Sequence, residues 1–250
     1  MNNIKIKKKR IDQILLDKGL VSSRAKAQAL IMTGKVYHNK KRIEKAGQLL
    51  NQNQEVKILK DKLEWVSRGG LKLAPIIINQ KIEIKNKICI DLGSSTGGFS
   101  HVLLKFGAKK IYSVDVGYGQ IHEKIKQDKR VVSLERTNAR YLTTKEITDK
   151  VDVIVCDTSF ISIKKSISKS IEFLKKNGTI IGLIKPQFEA NRKEIIKGIV
   201  KDSMVHNRVC SEIKFWFENE KNIEILQIIQ SPIKGPKGNI EFFLIGVKQS

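Results

Sequence analysis

Lys87-Ile88-Cys89-Ile90-Asp91-Leu92-Gly93-Ser94-Ser95-Thr96-Gly97-Gly98-Phe99-Ser100 decides the architecture of this 250-residue chain. A short apolar run rich in β-branched residues passes directly into a glycine-rich turn, so a buried strand must bend sharply and allow a ligand close to its backbone. The spacing is neither Gly-x-Gly-x-x-Gly, because three residues separate Gly93 from Gly97, nor a P-loop, because Phe99 follows Gly98 where a P-loop needs lysine. Outward from this stretch, similar runs recur at residues 110–115, 131–134, 151–156 and 179–184, with helical segments between them. Near-continuous apolar strands alternating with helices predict a parallel sheet covered on both faces. Residues 223–229 and 240–247 have a Pro/Gly-rich turn and no helix between them, so they are expected to pair antiparallel.

Charge divides the chain. Lys and Arg number 48 against 25 Asp and Glu, a formal net charge of +23, which fits a polyanionic partner: nucleic acid first, acidic lipid second. Residues 1–60 hold 15 of the basic and 4 of the acidic residues, so nearly half the excess lies in the first quarter. No uncharged apolar run reaches eighteen residues, and Met1-Asn2-Asn3-Ile4-Lys5 leads into lysines without the apolar core of a signal peptide, so a soluble, cytoplasmic protein is expected. Cys89, Cys156 and Cys210 are far apart and read as buried, reduced thiols. His38, His101, His122 and His206 lack ligand spacing, so no metal is expected.

In the basic segment, Ile11, Ile14, Leu15 and Lys18 fall at helical spacing with Gly19 as C-cap. Ser22 and Ser23 offer an N-cap for a second helix over 24–33, ending at Gly34, with Ala25, Ala29 and Leu30 facing inward. A small β unit follows, and the Lys5 to Arg10 run reads as a mobile basic arm. Arg10-Ile11-Asp12, Ser23-Arg24-x-x-Ala27 and Gly34-Lys35-Val36-Tyr37 give residues 1–60 a resemblance to the S4 RNA-binding domain. That resemblance implies that Arg10, Arg24, Lys26 and Lys35 contact structured RNA. Residues 61–71 read as a linker, and 72–250 as the larger domain.

Five parallel strands and a closing hairpin resemble the Rossmann-like class I methyltransferases, a mostly parallel seven-stranded α/β sheet; the first 60 residues add a small α+β domain. Ligands of such sheets bind at the carboxyl ends of the strands. Gly93, Ser94, Ser95, Thr96, Gly97, Gly98 and Phe99 form the candidate cofactor loop. Asp115 suits a ribose diol, Asn138 the adenine side, and Asp157 the same rim. A sulfonium cofactor is positively charged, so acidic residues suit it better than a phosphate cradle would. Lys72, Asp157, Lys185 and Glu241 make a catalytic set for methylating a ribose 2′-hydroxyl, which must lose its proton as it attacks. An ordinary lysine, with pKa about 10.4, is no base at neutral pH, but burial and a second cation lower such a group. Phe160 could stack on an extruded base or belong to the core.

Trp65-Val66-Ser67-Arg68-Gly69-Gly70-x-Lys72, Ser95-Thr96-Gly97-Gly98-Phe99, Asp115-Val116-Gly117-Tyr118-Gly119-Gln120, Ser159-Phe160-Ile161-Ser162, Lys185-Pro186-Gln187-Phe188-Glu189 and Lys234-Gly235-x-x-Gly238-Asn239-x-Glu241 together resemble the TlyA (hemolysin A) family of ribosomal RNA 2′-O-methyltransferases. The resemblance implies S-adenosyl-L-methionine as cofactor, ribosomal RNA or ribosomal subunits as partner, and cytidine ribose as target, with the Lys-Asp-Lys-Glu set above. Glu123 and Lys197-Gly198-Ile199-Val200 depart from the family pattern, which bears on local loop shape. Two alternatives accompany this reading: a membrane-active hemolysin-like protein, and a catalytically inactive RNA-binding assembly factor.

Overall fold

The computed structural model describes residues 8–21, 23–32, 36–39, 41–58 and 65–249. Two compact units divide the chain after Leu63.

In the smaller unit, β1 (Lys8–Arg10) leads into α1 (Ile11–Asp17) and α2 (Arg24–Met32). β2 (Val36–His38), β3 (Lys41–Arg42), β4 (Leu49–Asn51) and β5 (Lys57–Ile58) follow. Ser23 Oγ accepts from the Lys26 amide at 3.2 Å, giving α2 the expected N-cap. Its inner face is only partly the expected one: Leu30 packs against the core as expected, but Ala27 and Ile31 are the residues buried beside Ile11, Ile14 and Leu15, Ala25 is exposed, and the Ala29 side chain lies outside the described residues. Residues one turn apart, at i and i+4, share a face, and the register of α2 is one that turns Ala27 inward. Residues 8–10, expected as a basic arm, instead pair antiparallel with β4. Ser22, Gly34 and Lys35 lie outside the described residues.

The larger unit opens with α3 (Gly69–Asn79), followed by β6 (Ile88–Leu92), α4 (Gly98–Lys105), β7 (Lys110–Val114), α5 (Glu123–Lys126), β8 (Val131–Leu134), β9 (Val151–Cys156), α6 (Ile163–Ile167), β10 (Leu174–Ile184), α7 (Pro186–Glu189), α8 (Ser203–Glu220), β11 (Ile223–Gln230) and β12 (Phe242–Lys248). Seven strands form one sheet in the order β11-β12-β10-β9-β6-β7-β8. The five from β10 to β8 are parallel, and β12 runs antiparallel to both its neighbours. This is the expected Rossmann-like methyltransferase architecture. Strand alternation sorts the core: Ile90, Leu92, Ile154 and Ile180 face the α8 side, while Cys89, Val153, Val155 and Ile181 face α3 and α4.

The linker expectation fails for residues 65–71. Trp65 is buried against α3 and α4, and Gly69 to Leu71 already form the first turn of α3. Gly70 is the reason for the tight fit, since a Cβ there would lie 2.2 Å from Trp65 Cγ. Residues 61–64 lie outside the described residues.

Candidate active site

The chain order of the sheet reverses between β6 and β9, and there the carboxyl ends of the strands open a cavity of about 500 Å³. Gly93, with φ +77°, turns the chain out of β6 so closely that a Cβ would stand 2.9 Å from the Asp157 carbonyl oxygen. Asp115, just beyond β7, accepts from the Ser95 amide at 2.8 Å and the Gly117 amide at 2.7 Å, so its carboxylate joins the glycine loop to the 116–120 loop. Asn138 Oδ1 accepts from the Arg140 amide at 3.1 Å.

Of the ten cofactor candidates, Gly93, Ser95, Asp115, Asn138 and Asp157 line the cavity. The other five do not line it. Phe99 is buried and stacks on Phe243, with ring centroids 6.2 Å apart, and Ser94 is buried. The Thr96 carbonyl accepts from the His122 amide at 3.2 Å. Gly97, with φ +87°, starts α4 beside Ile125, and a Cβ on Gly98 would strike Ser67 Oγ at 2.2 Å. Gly98 therefore allows α3 and α4 to touch, while Gly97 leaves room for Ile125 of α5.

The four proposed catalytic side chains come from distant segments and converge. Asp157 extends β9 by one residue and Lys185 extends β10 by one. Lys185 Nζ is 2.5 Å from Asp157 Oδ1, and Lys72 Nζ is 3.5 Å from Asp157 Oδ2 and 2.8 Å from Glu241 Oε2. Lys72, Lys185 and Glu241 are 8%, 6% and 1% exposed. Buried charges need partners, and here two ammonium and two carboxylate groups alternate in one chain of contacts.

Three further residues join them that sequence reading did not assign. Ser159 Oγ accepts from Lys185 Nζ at 2.8 Å, and Gln187 Nε2 donates to Glu241 Oε1 at 3.2 Å. Gly235 backs the carboxylate: a Cβ there would lie 2.2 Å from Glu241 Oε1. All three sit inside motifs already singled out; nothing in the spacing says that they touch the tetrad. Phe160 is 91% exposed at the cavity with φ +65°, so it is not a core residue.

Under the cavity, burial pushes the Asp91 carboxyl up to about 7, against the opposing hydrogen bond from Ser100 Oγ at 2.6 Å. In the smaller unit, Arg10 and Arg24 both reach the fully buried Asp12 at 3.0 Å, and Gln28 adds a third donor. The Arg10 hydrogen bond holds the Asp12 carboxyl well below the usual carboxylate range. Both guanidinium groups remain about half exposed, and Lys26 is exposed.

Among the described residues no cluster of His, Cys, Asp and Glu could hold a metal ion, and no helix is long and apolar enough to cross a membrane. The FtsJ-like methyltransferase family matches residues 65–248, and the S4 domain matches residues 9–56. Hemolysin A of Brachyspira hyodysenteriae is 38% identical over 240 residues, covering 93% of this chain and 97% of its own. The 16S/23S rRNA (cytidine-2′-O)-methyltransferase TlyA of Mycobacterium tuberculosis is 36% identical over 237 residues, 94% of this chain and 88% of its own. A solved chain from Streptococcus thermophilus, described as a hemolysin, superposes with TM-score 0.77 at 36% identity, covering 98% of this chain and 90% of that one.

Proposed function

This chain belongs to the FtsJ-like methyltransferase family, and from that premise we propose that it methylates the 2′-hydroxyl of cytidine ribose in ribosomal RNA, using S-adenosylmethionine. The observation that carries the reading is the convergence of Lys72, Asp157, Lys185 and Glu241 beside the cavity at the switch point of the sheet.

The cavity fits this cofactor in size and chemistry. About 500 Å³ is ordinary for a small-molecule site. Asp115 supplies a carboxylate for a ribose diol, Asn138 a polar edge for an adenine, and Gly93 the bare backbone that close approach requires. When bound, the cofactor supplies an electrophilic methyl group. The chain's own residues do the rest. Lys185, which touches the cavity-lining residues Asp157 and Ser159, is the group placed to take the proton from the 2′-oxygen. Asp157 orients it, and Lys72, locked on Glu241, holds the other oxygen of that carboxylate. Exposed Phe160 offers a face on which the target base can stack once it leaves its helix. Arg10 and Arg24, splayed from one buried carboxylate, and Lys26 present cations to RNA phosphates; Lys35 lies outside the described residues.

The substrate is a ribosomal RNA or subunit, and the cytoplasm is where it is met. Incubating the protein with methyl-labelled cofactor and ribosomal subunits, then mapping ribose methylation, tests this directly. Label on cytidine 2′-oxygens is expected. Cofactor binding without label on RNA would favour the inactive assembly factor, and leakage from anionic liposomes at low protein concentration would favour the lytic reading.

A further inference from the structure

Lys185 Nζ makes three polar contacts: an ion pair with Asp157 Oδ1 at 2.5 Å, a long hydrogen bond to the Asp157 carbonyl at 3.5 Å and a hydrogen bond to Ser159 Oγ at 2.8 Å. Two of the three belong to a fixed residue. The Asp157 amide continues the sheet by donating to the Leu92 carbonyl at 2.9 Å, and its second carboxylate oxygen faces Lys72, itself held by Glu241. Ser159 is different in kind. It is exposed, it lines the cavity, and it precedes Phe160, whose left-handed backbone and exposed ring mark a loop not packed into the core. Of these contacts, the one with Ser159 is the one made by an exposed, cavity-lining side chain, and so the one a substrate hydroxyl can replace.

We propose that Ser159 is a displaceable positioning residue, whose hydroxyl keeps in the free protein the place on Lys185 that a ribose 2′-hydroxyl takes on binding. This rests on the methyltransferase reading above and deepens it. Lys185 pairs with Asp157 after β9, Asp157 in turn meets Lys72 from α3, Lys72 meets Glu241 before β12, and Asp91 near the end of β6 lies close enough to Asp157 to feel its charge. All of these stay in place when Ser159 moves. As an acceptor, Ser159 holds Lys185 only while substrate is absent, so its effect belongs to the free protein and not to the complex.

Ser159→Ala removes an exposed hydroxyl and leaves the tetrad intact. Two measurements are made beside wild type and Ser159→Thr. The first is binding, by calorimetry, of a cytidine-containing RNA fragment and its 2′-deoxy counterpart. Ser159→Ala should increase the preference for the ribose form by about two- to fivefold, since no internal contact has to be broken, while Ser159→Thr stays near wild type. The second is the pH profile of methyl transfer. The acidic limb of kcat/KM should move down by about half a unit in Ser159→Ala, with that of kcat unmoved. An unchanged ribose preference, equal movement of both limbs, or a kcat loss above about tenfold at all pH values would each overturn the inference. Wild-type protein that neither methylates RNA nor distinguishes ribose from deoxyribose would instead remove the reading beneath it.

Discussion

Lys72 and Glu241, 169 residues apart in the chain, meet at 2.8 Å in a setting almost closed to water. The contact depends on Gly235, whose missing side chain leaves room for the carboxylate. Gly235→Ala should displace Glu241 and cut methyl transfer by about 10- to 100-fold. A thermal scan run alongside the rate assay separates this from unfolding, and a wild-type rate would show that the exact place of Glu241 is unimportant.

Lys185→Ala removes the group placed to receive the proton. Transfer should fall by at least about 100-fold, while cofactor affinity measured by calorimetry stays within about threefold. Retained turnover would rule Lys185 out as base and shift attention to Lys72.

Asp115 supports two loop amides as well as facing the cavity. Asp115→Ala should weaken cofactor binding by about tenfold or more, since both a ligand contact and the shape of the loop are lost. Thermal stabilisation by the cofactor, titrated in both proteins, reads the effect.

Arg24 projects from the buried Asp12 with about half of its side chain exposed. Arg24→Ala should lower RNA affinity and flatten its dependence on log salt by somewhat less than one unit, the release expected from one phosphate contact. An unaltered slope would make Arg24 a purely structural partner of Asp12.

Asp91 gives stability a distinctive pH dependence. Its carboxyl, at about 7 in the folded chain and near 3.8 unfolded, binds more protons folded than unfolded between these values. Its contribution is thus complete below the unfolded value and is lost as pH rises toward 7, by up to about 1.4 kcal/mol per pH unit. Asp91→Asn keeps an acceptor for Ser100 and should flatten that trend in urea denaturations from pH 4.5 to 7.5. Parallel trends in the two proteins would disprove the assignment.

The fold was legible because its strands are buried on both faces and so write themselves as apolar runs, with Gly93 marking the turn. The tetrad was legible because strand ends on one rim must converge, as Asp157 and Lys185 do. What escaped was short-range steric work. The close approach of Gly98 to Ser67 and α3 left no mark in the spacing, and residues 65–71 read as a linker although Trp65 anchors α3. A glycine that meets a ligand and one that meets another helix look the same in sequence. Ser159 and Gln187 lay inside quoted motifs, yet their partners are 26 and 54 residues away, and pairings that remote carry no periodic signal.

The insertion of β12 between β10 and β11 has a temporal consequence. Glu241 is carried into the site by this strand, the last in chain order, which pairs on β10 and on which β11 in turn depends for its place in the sheet. The cavity lining lies on or after the parallel strands β6, β7, β8 and β9. A refolding chain should therefore recover its hold on the nucleoside cofactor before it recovers the ability to turn it over, leaving an interval in which recognition is restored and chemistry is still silent.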